Sequence, residues 1–142
     1  MRYLALLALT LAACNPGGGS QVPGDKSDKQ PFAGIGADEV LQLTGTEPFW
    51  GGTVSGNSLT YTTPENPEGS VAGVERFAGR GGLSFGGELE GARLDLMVTP
   101  GTCSDGMSDR TYPFTATLKL GEETRTGCAW LAQHPFSGDE NP

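Results

Sequence analysis

The chain has 142 residues, of which 23 are glycine and 10 proline, and it carries a formal net charge of −8. That length holds about one domain. A glycine and proline share roughly double the usual 12 % excludes a helical bundle, because both residues destabilise helix interiors. Seventeen acids against nine bases exclude nucleic acid as a partner, whose phosphates need a basic footprint.

Residues 1–13 read as a secretory leader. Arg2 precedes an apolar run from Tyr3 to Ala13, broken only by Thr10. A helix of that run would be about 16 Å long, half of the roughly 30 Å hydrocarbon core, so it is too short to span a membrane. Leu11-Ala12-Ala13-Cys14 resembles a bacterial lipobox, in which the leader is cut before a cysteine that then carries lipid. Two or three acyl chains, at about 0.8 kcal/mol per buried methylene, hold a protein on a membrane in a way that one chain does not. The membrane is therefore an expected partner, through lipid on Cys14. Asn15 stands where an aspartate would resemble an inner-membrane retention signal, which points to the outer membrane of a bacterial envelope. Losing Arg2 with the leader takes the formal charge from −8 to −9, so the domain stands off an anionic bilayer.

Residues 14–33 are rich in proline, glycine and small charged residues, with only Val22 and Phe32 of useful hydrophobicity. Such a segment cannot offset its own chain entropy and reads as a flexible linker spanning about 25 Å. Beyond it the period is two. Phe114, Ala116, Leu118 and Leu120 share one face and Thr115, Thr117 and Lys119 the other, while Leu94, Leu96 and Val98 repeat the pattern. This alternation belongs to a sheet with one wet face. The sequence predicts strands at 40–44, 49–54, 59–63, 71–78, 83–89, 93–99, 112–120 and 123–130, separated by turn residues such as Ser55-Gly56-Asn57 and Glu90-Gly91. About eight short strands over residues 34–133 make an all-β domain, a small antiparallel barrel or sandwich. Residues 134–142, with two prolines and no periodicity, read as a tail.

With Cys14 lipidated, Cys103 and Cys128 remain. In an exported protein a disulfide is the default, and the chain-entropy model values a loop of this length at roughly 3.5 kcal/mol. A metal site on the same pair lacks histidine partners.

Two stretches carry the functional information. One is Gly45-Thr46-Glu47-Pro48-Phe49-Trp50, in which adjacent Phe49 and Trp50 point to opposite faces and one of them is buried. Glu47 is placed to pair with Arg110 or to accept backbone N–H groups. The other runs from Cys103 through Ser104, Asp105, Gly106, Met107, Ser108, Asp109 and Arg110 to Tyr112-Pro113. Asp105-Gly106 is a turn signal, and Ser104 and Ser108 are suited to bonding local backbone. Two roles compete for this second stretch. Either the disulfide and these polar groups clamp an irregular crossover, or Ser104, Asp105, Met107, Asp109 and Arg110 form a recognition loop held rigid by Cys103.

Together the two stretches resemble an uncharacterised family of bacterial envelope lipoproteins that carry GTEPFW early and CSDGMSDRTYP late, over roughly residues 44–130. The resemblance implies a lipid-anchored envelope protein with no assigned catalytic activity. It also implies a fold akin to small β-barrel envelope domains, among them the lipoprotein inhibitors of c-type lysozyme. The Ser- and Lys-bearing inhibitory loop of those inhibitors has no match here.

Catalytic constellations are poorly supplied. The single histidine, His134, falls in the tail, away from any nucleophile. Asp105 with Asp109 is the one pair suited to acid–base work, and the same acids lack EF-hand spacing. No cofactor motif is present. The expectation is a non-catalytic, lipid-anchored envelope lipoprotein with a binding or structural role towards an envelope or host protein, and the alternative is an inhibitor of c-type lysozyme.

Overall fold

A computed structural model describes residues 30–138. The leader, Cys14, the linker up to residue 29 and residues 139–142 lie outside the described residues. Eight strands follow one another: β1 (Leu41–Gly45), β2 (Gly51–Ser55), β3 (Ser58–Thr63), β4 (Asn66–Ala78), β5 (Leu83–Leu89), β6 (Ala92–Ser104), β7 (Thr111–Leu120) and β8 (Glu123–Leu131). Each pairs antiparallel with its sequence neighbour, and β8 closes onto β1 through Leu41↔Leu131 and Gly45↔Gly127. The sheet is a barrel rather than a sandwich, and closure leaves no unpaired edge.

Alternation fills the lumen. Leu83, Val98 and Ala116 lie in one cross-strand row and Phe85, Leu96 and Leu118 in the next, all buried in a single apolar cluster. An eight-stranded barrel is just wide enough for side chains to fill it. Small residues take up the tight places. A side chain at Gly127 would start 2.3 Å from the Thr44 carbonyl oxygen, so the β1–β8 seam depends on glycine there. The outer face carries Thr60, Thr115, Thr117 and Lys119, and Thr99 and Thr115 bond across strands at 2.7 Å. An apolar lumen under an outer face that is polar apart from exposed Val71, Phe77 and Met97 is the inverse of a membrane-spanning barrel.

The two ends are closed differently. At the upper end, where β1 passes to β2, the Trp50 indole lies over Gly45 and stacks on Tyr61 at 6.2 Å. At the lower end Ile35 is buried, and its carbonyl accepts from Arg76 at 2.7 Å. Phe32, at the end of the segment expected as linker, packs against the core, and its N–H donates to the Gly79 carbonyl at 2.7 Å. Two strands run past their expected ends. β4 begins at Asn66 because a register shift at Tyr61/Thr63, with Gly69 at φ 83°, absorbs Pro67 and Gly69. β6 continues to Ser104 through a second shift between Pro100 and Cys103.

Candidate functional site

The extension of β6 builds the site. By alternation, Cys128 and Trp130 point out of the barrel from β8 while Ala129 and Leu131 point in. Cys103, at the end of β6, reaches past β7 to bond Cys128, with Cα atoms 5.6 Å apart. That link laps the β6–β7 hairpin onto the outer surface, and Cys128 beneath it is fully buried.

The lapped loop is ordered from within by one carboxylate. Asp105 Oδ1 accepts the backbone N–H groups of Met107 and Ser108, both at 2.9 Å. Its Oδ2 accepts the Ser108 hydroxyl at 2.8 Å and the Tyr112 phenol at 3.1 Å. The Met107 and Ser108 N–H bonds, foremost among these, hold the Asp105 carboxyl at about 2, because each donor stabilises the charged form. Ser104 and Ser108 accept from the Gly106 and Arg110 backbone N–H groups, and Gly106 sits at φ 73°, a left-handed position that suits glycine. Burial pushes the Tyr112 phenol up.

Behind this loop lies a small aromatic cluster. Tyr112 is buried against Trp130 at 5.1 Å and Phe136 at 5.4 Å. The Arg110 guanidinium lies 4.3 Å over the Phe136 ring. Ser137 pairs with Thr111 through two backbone bonds, so the segment read as a tail docks through residue 137. Nothing periodic announced this, since one aromatic and one backbone bridge hold it. His134 is exposed beside it, its N–H donating to the Leu131 carbonyl.

The two stretches singled out in the sequence meet here. Trp50 is buried and its indole N–H donates to the Thr126 carbonyl at 3.1 Å, as the Thr46 N–H also does. Phe49, its neighbour, is 44 % exposed, and Met107 is 57 % exposed. One depression is walled by Thr46, Glu47 and Phe49 from the β1–β2 loop and by Asp105, Gly106 and Met107 from the β6–β7 loop. Glu47 and Phe49 also wall a second depression, shared with Thr63, Pro64, Glu65 and Arg125. The sequence named Glu47, Phe49 and Met107, but the contribution of Glu65, Thr63 and Arg125 carried no local signal.

Asp105 and Asp109 do not form an acid–base pair. Asp105 is buried and bound on both oxygens, whereas Asp109 is exposed. A carboxyl ionised down to about 2 does not donate a proton near neutral pH. Among the described residues no three His, Cys, Asp or Glu side chains gather as metal ligands. Comparison with protein-family models, curated sequences and solved structures returns no match, so function rests on the geometry above.

Proposed function

We propose that this chain is a lipid-anchored lipoprotein of the bacterial envelope that binds a partner without catalysis, through the composite surface of the β1–β2 and β6–β7 loops. One observation carries the reading. Phe49 and Met107, from loops far apart in sequence, stand exposed on the same depression, and the polar groups of the loop that carries Met107 are used internally to hold it in shape. Apolar side chains presented on a rigid loop fit recognition better than structure alone, since nothing in the fold requires them outside. Lipid at Cys14 supplies the anchor and keeps the surface local to the envelope.

A photo-crosslinking residue in place of Met107 in living cells tests the surface. A discrete adduct that disappears with Phe49→Ala, and is absent when the crosslinker replaces Thr117 on the barrel wall, is the expected outcome. No adduct from either position contradicts the reading. Fatty-acid labelling that persists in Cys14→Ser contradicts the anchor. Sub-micromolar inhibition of a c-type lysozyme by the chain would shift the reading to the inhibitor.

A further inference from the structure

The upper end of the barrel is marked by charge. Each of its four connections carries a glutamate: Glu47 between β1 and β2, Glu65 between β3 and β4, Glu90 between β5 and β6, and Glu122 between β7 and β8. Two of the three lower connections, Gly56-Asn57 and Gly79-Arg80-Gly81-Gly82, carry no carboxylate. Of the cations near the upper end, Arg125 pairs with Glu123 at 2.7 Å and Arg93 with Asp95 at 3.0 Å, and Lys119 stands opposite the same Asp95. The four turn glutamates therefore leave this mouth with a net negative field, which concentrates cationic groups.

Shape and an orphaned donor go with the charge. A depression of about 670 Å³ lies between Glu47 and Glu65, with Phe49 and Pro64 as its apolar walls and, also in its lining, Arg125, whose charge Glu123 offsets. It shares Thr63 with a smaller one of about 280 Å³ that is walled by Tyr61 and Glu90. Tyr61 is only 8 % exposed, and its hydroxyl, although Arg125 approaches it, has no hydrogen bond of proper geometry. Buried hydroxyls are normally satisfied, so this one is set for an acceptor that the folded chain does not supply.

Resting on the partner-binding reading above, we propose that this mouth receives a basic segment of a partner protein, its Lys or Arg side chain between Glu47 and Glu65 and against Phe49, with a backbone carbonyl accepting from Tyr61. The cation meets two carboxylates and a ring face. The neutral donor meets the peptide backbone that any such segment carries. The mouth is at the opposite end of the barrel from Phe32, where the linker enters.

The test uses the full chain in non-ionic detergent and a fluorescein-labelled pentapeptide, Lys-Phe-Lys-Phe-Lys, read by anisotropy. Saturable binding is expected, tenfold or more weaker in the double variant Glu47→Gln/Glu65→Gln and threefold or more weaker in Tyr61→Phe. The wall variant Glu75→Gln/Glu88→Gln should change it less than twofold. Melting temperatures within 2 °C of the parent confirm that the glutamine variants remain folded. Absence of binding, equal binding of a Glu-Phe-Glu-Phe-Glu peptide, equal loss in the wall variant, or spermine binding as tightly as the peptide would each overturn the proposal. If Phe49→Ala removes the cellular adduct while Glu47→Gln/Glu65→Gln leaves peptide binding intact, the composite surface stands and the basic occupant falls. If no adduct forms either, both fall.

Discussion

The lumen and the disulfide-lapped loop are held by different physics. The lumen is aliphatic and redundant: Leu94, Leu96, Val98 and Leu118 are essentially inaccessible, and each is one of many apolar contacts arranged by period two. The loop is polar and singular. One disulfide attaches it, one carboxylate shapes it, and the aromatic cluster of Tyr112, Trp130 and Phe136 backs it. A barrel of redundant contacts tolerates an appended loop that has no core of its own. The loop in turn can expose Met107 at little cost to the fold.

That difference sets the order of expected effects. Leu96→Ala, at a fully buried position, should cost about 3–5 kcal/mol by urea unfolding and weaken the whole barrel. Replacing Cys103 and Cys128 together by alanine should cost about 3.5 kcal/mol, yet leave the β-sheet circular dichroism unchanged while the adduct at Met107 is lost. Equal damage to barrel and loop would break the distinction.

Asp105→Ala should cost about 2 kcal/mol, since it leaves the Tyr112 phenol and the Met107 and Ser108 N–H groups without their acceptor. Asp109→Ala, at an exposed position, should move stability by less than about 0.5 kcal/mol. The pH dependence has a definite sign. The folded Asp105 carboxyl sits at about 2, below its ordinary value near 4. Its stabilisation is therefore complete above about pH 4 and is lost as pH falls towards 2. The melting temperature of the parent should drop over that window more steeply than that of Asp105→Asn. One small effect is a gain. Glu90 holds φ 51° in the two-residue turn with Gly91 at φ 84°, a place that favours asparagine or glycine. Glu90→Asn should stabilise by about 0.5 kcal/mol, and a loss would show that its bond from Ser70 at 3.0 Å outweighs the backbone preference.

How much of this was legible follows the same division. Strands with clean alternation, at 83–89 and 112–120, stand within one residue of their expected bounds. Beyond the expected start at 71 and the expected end at 99, the strands continue through register shifts around Pro67, Gly69, Pro100 and Gly101, because a bulge accommodates what a regular ladder cannot. Barrel and sandwich share one pattern, and only the β1–β8 pairing separates them. In the site, Cys103–Cys128, the Asp105-Gly106 turn and the burial of one of Phe49 and Trp50 were readable from local chemistry. The meeting of residues 46–49 with 105–107 was not, since no sequence pattern reports that a hairpin laps across a neighbouring strand. The docking of Phe136 was hidden for the same reason.

Amide hydrogen exchange on the full chain, with the disulfide intact and after its reduction, tests the central claim most directly. With the disulfide intact, the Met107 and Ser108 amides should be protected at neutral pH by Asp105. On reduction both should exchange at nearly the rate of an unfolded chain, while the Leu94, Leu96 and Leu118 amides, although weakened by the lower global stability, should remain strongly protected. Met107 and Ser108 exchanging freely in the oxidised chain, or barrel amides becoming as unprotected as the loop on reduction, would contradict a rigid site clamped onto an independent barrel.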